Sequence, residues 1–189
     1  PASSDTVPVF TVIQTSSSHE PFDVPWQSEF SDPRLNAFAY ADKALGQWYD
    51  AMSRTPRWDH SLVVIIPDHY ADTLVSQASR HHVPMVIAGG ALRSEAARID
   101  AVVAQTDIAA TVLGMLGLSA AEFPFSHNVF DPSAPHMAFF SDAEHASVAT
   151  PASVATLNVS SGLPEEGDSL GLETVKAYLQ ILYNDLQQR

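Results

Sequence analysis

Residues 62–66, LVVII, form an unbroken aliphatic run that passes straight into Pro67-Asp68-His69-Tyr70. A short run rich in β-branched residues reads as a strand covered on both faces. Such a strand cannot stand alone. It needs neighbouring strands and a layer on each side, so it predicts a layered α/β sheet, and the rest of the chain is read for those partners.

Residues 7–15, VPVFTVIQT, read as a second short buried strand, followed by a polar loop at Ser16, Ser17, Ser18 and His19. Asp32-Pro33 is a helix start signal, an N-cap acceptor followed by Pro at the first helical position. Leu35, Phe38, Asp42, Leu45, Trp48 and Met52 then recur at helical spacing, and Pro56 marks the end. Residues 71–80 read as a helical connection. PMVIA at 84–88 reads as a further strand stopped by Gly89-Gly90. A loop and weak strand at 98–105 lead to Thr106-Asp107, which opens a helix at 108–116 closed by Gly117. This alternation is that of a largely parallel sheet with helices on both faces. After Phe123 the pattern changes. Residues 136–140 and 147–159 read as a small antiparallel sheet, 161–171 as a Gly/Pro/acidic loop, and Leu172, Val175, Leu179 and Leu182 as a terminal helix. The expected division is 1–122 for the α/β core and 123–189 for the small sheet and helix packed on it.

Composition narrows the function classes. With 46% hydrophobic and 16% charged residues, the chain can bury a core and is not disordered in character. A net charge of −13 with only 9 Lys+Arg excludes nucleic acid as a partner, because phosphate-backbone binding rests on those cations. An anionic substrate would need a metal ion or a local donor cluster. The absence of Cys excludes disulfides and thiolate zinc sites within the chain. No run approaches the roughly 20 apolar residues of a membrane span. Pro1 in place of Met and the polar opening residues suggest an internal cut, with any anchor or leader upstream.

Asp68-His69 is the leading chemical candidate. Ligand sites in open α/β sheets lie beyond the carboxyl ends of strands. A carboxylate with an imidazole suits Zn²⁺, Mn²⁺ or a similar ion. The competing reading is a hydrogen-bonded strand-end turn. The other histidines read more simply: His60 as a turn residue, His81 and His82 as residues before a strand, and His127, His136 and His145 as surface or hydrogen-bonded groups. Asp107 reads as a helix-start acceptor. Gly89-Gly90 lacks a following Gly-Lys-Ser/Thr and reads as a turn. Trp48 lies on the apolar stripe and reads as core. Ser18-His19 lacks the Gly-x-Ser-x-Gly elbow of a hydrolase triad.

These segments resemble the alkaline phosphatase superfamily, and more narrowly its sulfatase-like branch containing lipoteichoic acid synthases and other phosphoglycerol transferases. SLVVIIPDHY resembles the strand and Asp-His pair. VFTVIQTSSSHEPFDVP resembles the strand leading to a His-x-Pro-Phe loop, and LNAFAYADKALGQWYDAM the helix after it. HVPMVIAGG and VVAQTDIAATVLGMLGL resemble the next strand and helix. The resemblance covers roughly residues 7–118 and implies a partial α/β/α sandwich.

The resemblance implies that Asp68 and His69 are two ligands of one catalytic divalent cation (Mn, Zn, Mg or Ca). His19 would contact the phosphate or its leaving group. His82 would matter only in two-metal relatives. Tyr70 stands where many members have Gly, and either points to the transferase branch or caps the turn. The nucleophile, a Thr or formylglycine in relatives, and a further acidic ligand would lie upstream. The implied activity is transfer or hydrolysis of a phosphate ester, of phosphoglycerol or phosphoethanolamine type on lipid head groups, at an extracytoplasmic face with an upstream membrane anchor. The alternatives are a sulfatase, or a non-catalytic fragment used for partner contact. The implied partners are the ester substrate, the missing N-terminal half, and a second copy of the chain meeting exposed core.

Overall fold

The computed structural model describes residues 7–71, 81–93 and 98–189. The chain forms two compact units, Pro1–Glu95 and Ala96–Arg189.

In the first unit, helix α1 runs Pro33–Met52 from the expected cap: the Asp32 carboxylate accepts from the backbone N–H of Arg34 at 2.8 Å. Its buried positions are Asn36 and Ala37. Asn36 straps the preceding loop to the helix. Its Nδ2 donates to the Trp26 carbonyl at 2.8 Å, and its Oδ1 accepts from the Ser28 N–H at 2.6 Å. Phe22 meets Phe38 edge-on at 6.3 Å, and Trp26 lies 6.4 Å from Tyr40 with the Lys43 ammonium over its ring. Trp48 is 37% exposed, so the expectation that it lies in a core is corrected. The buried face of α1 is the one that carries Asn36.

Strand β1, Val63–Ile65, pairs with β2, Val86–Ala88, and the pairing is antiparallel. That corrects the expectation of a parallel neighbour. The ladder is closed at its far end by Gly89-Gly90. The Gly90 N–H donates to the Trp58 carbonyl at 3.0 Å and the Ala91 N–H to Ser61 at 3.2 Å. Gly89 has φ +123°, and a Cβ there would lie 2.1 Å from the Ser61 carbonyl oxygen. Only glycine permits that approach, so the pair is the turn expected rather than a phosphate loop.

Residues 7–15 are a further correction. They form no strand among the described residues, and Val9, Phe10 and Ile13 are 78%, 88% and 71% exposed. β-branched composition favours extended backbone but supplies no ladder. Without a strand beside it and layers over it, such a run stays unpaired. The expected helical connection falls largely on residues 72–80, outside the described residues.

In the second unit, a 3₁₀ turn at Gln105–Asp107 leads into helix α2, Ile108–Met115. The weak strand expected at 98–105 is absent: residues 98–104 form no strand, and the Asp107 carboxylate takes the Ala104 N–H at 2.8 Å instead. Gly117 (φ +71°) ends the helix as expected. A four-stranded antiparallel sheet follows: β3 Ala138–Ser141, β4 His145–Ala149, β5 Val154–Asn158 and β6 Pro164–Glu166. Strand β6 and the start of the last helix replace most of the loop expected at 161–171. Residues Pro164–Glu166 reach β5 because the Asn158 amide N–H bonds the Leu163 carbonyl at 2.9 Å and begins a ladder. Helix α3, Ser169–Gln188, starts on the Asp168 cap. Alternate residues Ala146, Val148, Ala155 and Leu157 give one sheet face, which buries Val175 with Leu172 and Leu179 beside it.

Candidate functional site

Asp68 and His69 follow β1 by three and four residues, at its carboxyl end. The His69 N–H donates to Asp68 Oδ1 at 3.0 Å, so the carboxylate is turned back over its neighbour's backbone. His69 Nδ1 lies 2.6 Å from the Tyr70 carbonyl oxygen. A carbonyl can only accept, so Nδ1 carries the proton and, in the neutral ring, Nε2 carries the lone pair. That Nε2 is 4.0 Å from Asp68 Oδ2.

This pair fits part of a metal site. Two ligands on one tetrahedral ion, each at 2.0–2.2 Å, stand about 3.4 Å apart. The observed 4.0 Å is about 0.6 Å wider, a gap that rotation of two exposed side chains can close, and a backbone carbonyl on Nδ1 is a usual partner of a ligating imidazole. Both side chains are well exposed, at 75% and 68%. Two donors do not complete a coordination shell. Among the described residues no group of three or more His, Asp or Glu side chains is placed to hold a metal ion.

His19 sits apart from that pair. It lines an open cleft of ≈ 420 Å³ with Ser16, Ser17, Asp23, Pro25 and Tyr40, and neither Asp68 nor His69 reaches it. Its own turn holds it: the His19 N–H donates to Ser16 at 3.1 Å, and its carbonyl accepts from Phe22 at 3.0 Å. Its Nδ1 lies 3.0 Å from the Glu20 carbonyl, so here too Nε2 is the nitrogen turned outward.

Two contributors were not singled out from sequence. Tyr40 lines the His19 cleft, and its only sequence signal is its place in the YADKAL stretch of α1. His81, read as a residue before a strand, places its ring 4.7 Å from that of Tyr70. His82, the candidate for a second ion, joins no ligand group among the described residues.

The sulfatase family matches residues 2–118 of this chain, more than half its length. The chain belongs to the sulfatase family. The matched span of this sulfatase-family chain includes the His19 loop, α1, the Asp68-His69 strand end and α2. A protein in the alkaline phosphatase superfamily from Vibrio parahaemolyticus has the same fold. It matches 92% of this chain with a TM-score of 0.76 at 22% identity. The chain spans about half the length of that neighbour, 48%. The partial alkaline phosphatase-type α/β fold expected from sequence is thereby shown, and it extends beyond the family match into the small sheet and last helix.

Proposed function

We propose that this chain is the metal-ligating part of a sulfatase-family catalytic unit that transfers or hydrolyses phosphate esters. Asp68 and His69 supply two ligands of one divalent cation (Mn, Zn, Mg or Ca). The observation that carries this reading is the His69 ring, tied at Nδ1 to Tyr70 and presenting Nε2 4.0 Å from Asp68 Oδ2. When bound, such a cation offsets the charge of the ester and of the developing oxyanion. His19 contacts the phosphate or its leaving oxygen. With Nδ1–H held on Glu20, its Nε2 can donate to that oxygen only from the protonated ring.

The nucleophile, a threonine, and the remaining ligands come from polypeptide outside residues 1–189. The preferred substrates are lipid head groups of phosphoglycerol or phosphoethanolamine type, acted on at an extracytoplasmic face by a membrane-anchored parent. Tyr70 after the Asp-His pair and the HEPF loop support this branch. Hydrolysis of a sulfate ester is the second reading, favoured by the family's name.

Calorimetric titration with Mn²⁺ tests the ligand assignment. Saturable binding by the native chain, lost in Asp68→Asn and in His69→Gln, is expected. Equal binding by all three would sink it. The isolated chain is expected to be inactive, and chelator-sensitive turnover of a simple phosphodiester by it would overturn the placement of the nucleophile.

A further inference from the structure

We propose that the ring pair Tyr70–His81 is a positioning device that holds His69 in its metal-accepting tautomer. This rests on the reading of Asp68 and His69 as ligands. Three observations lead to it. First, the tautomer depends on one acceptor, the Tyr70 carbonyl at 2.6 Å from His69 Nδ1. Free imidazole has no such bias, so whatever fixes the Tyr70 backbone fixes which nitrogen faces Asp68. Second, among the described residues the Tyr70 ring meets His69 at 6.3 Å and 79° and His81 at 4.7 Å and 69°, both edge-to-face.

Third, the Tyr70–His81 meeting follows from the fold. Ile65 and Val86 are opposed in the antiparallel ladder. Tyr70 lies five residues beyond Ile65 and His81 five before Val86. Carried onward, the ladder register would oppose these two residues. The ring contact therefore lies just where the Asp-His pair leaves the strand. With two rings packed against it, the Tyr70 side chain restricts the backbone that carries the acceptor carbonyl. In this proposal His81 bears on His69 through the Tyr70 ring.

The test reads the tautomer directly. Long-range ¹H–¹⁵N spectra of the full chain, above the pH at which its imidazoles lose their second proton, report whether His69 carries its proton on Nδ1 or Nε2. In the native chain Nδ1–H is expected to dominate. In His81→Ala the two forms should mix, and Mn²⁺ affinity by calorimetry should fall by up to about 10-fold, no more than the smallest losses seen when the hydrogen-bond partner of a ligating imidazole is itself removed. His81→Phe keeps an edge-to-face ring and should restore both. If His81→Ala fails to fold, Tyr70→Leu, which removes the same ring contact, takes its place. An unchanged His69 tautomer in the ring-deleting variant overturns the proposal. If the tautomer depends on His81 but the native chain binds no Mn²⁺, the positioning stands and the ligand reading falls.

Discussion

The Asp107 carboxylate accepts the backbone N–H of His127, twenty residues further along, at 2.9 Å. Its second oxygen takes the Ala104 N–H at 2.8 Å, and the residue is 5% exposed. One buried carboxylate thus ties the start of α2 to the segment that runs back along that helix, where the Ala110 N–H meets Ser126 and the Val129 N–H meets Thr111. Asp107→Asn keeps the shape but turns an amide N–H toward one of two donors. Leaving a buried donor without an acceptor costs about 1–3 kcal/mol. The denaturation midpoint of the chain should fall accordingly, with the slope unchanged.

Tyr178 stacks on Phe139 at 4.4 Å and lies 5.7 Å from Phe125. Burial, and then the charge of Asp107, push its phenol above the ordinary tyrosine range. The folded state therefore resists ionisation more than the unfolded state does. The associated stability is fully present below the unfolded value of about pH 10 and is lost as pH rises through the folded value. Tyr178→Phe keeps the stack and removes the titration. Thermal melts from pH 9 to 11 should show a shallower alkaline decline in the variant than in the native chain. Parallel declines would mean that Tyr178 ionises equally in both states.

Gly89 and Gly46 predict opposite outcomes for the same substitution. A Cβ on Gly89 would strike the Ser61 carbonyl at 2.1 Å, and φ is +123°. Gly89→Ala should cost about 1–3 kcal/mol from backbone strain alone and loosen the β1–β2 ladder that carries Asp68. Gly46 lies inside α1 with nothing within 4 Å of its would-be Cβ. Gly46→Ala should stabilise by about 0.5–1 kcal/mol. Amide exchange of Val63, Val64 and Ile65 separates the two, speeding up in the first variant only.

What could be read in advance was whatever local chemistry decides. Asp32-Pro33 announced α1, Gly117 the end of α2, and the heptad-like Leu172, Val175 and Leu179 the last helix, because caps and apolar periods act within a few residues. The direction of the β1–β2 pairing was not legible. A run such as LVVII looks the same whichever way its neighbour runs, and the deciding contact, Gly89-Gly90 against Ser61 and Trp58, joins residues far apart in sequence. The Tyr70–His81 contact was hidden for the same reason, since its register exists only once the pairing direction is known. Asp68-His69 could be found because strand end and residue type coincide. The His19 cleft depends on Asn36 strapping the loop to α1, which no motif announces.

Residues 7–13 carry the last prediction. Apolar side chains occupy both alternating sets, Val7, Val9 and Ile13 on one and Phe10 and Val12 on the other, and all five are more than 70% exposed. A two-sided apolar strand suits the interior of a sheet, and left open it is a template for pairing. In dilute solution the backbone amides of residues 9–13 should exchange at nearly random-coil rates, while those of β4 and β5, laddered on both sides, stay protected. As protein concentration rises the chain should associate with itself through this segment, and protection there should rise in step with the mass seen by sedimentation. Phe10→Lys and Ile13→Lys place a charge on each face and should weaken that association while leaving the exchange of β4 and β5 unchanged. Strong protection of residues 9–13 in the dilute monomer would mean that the segment is already paired within one chain.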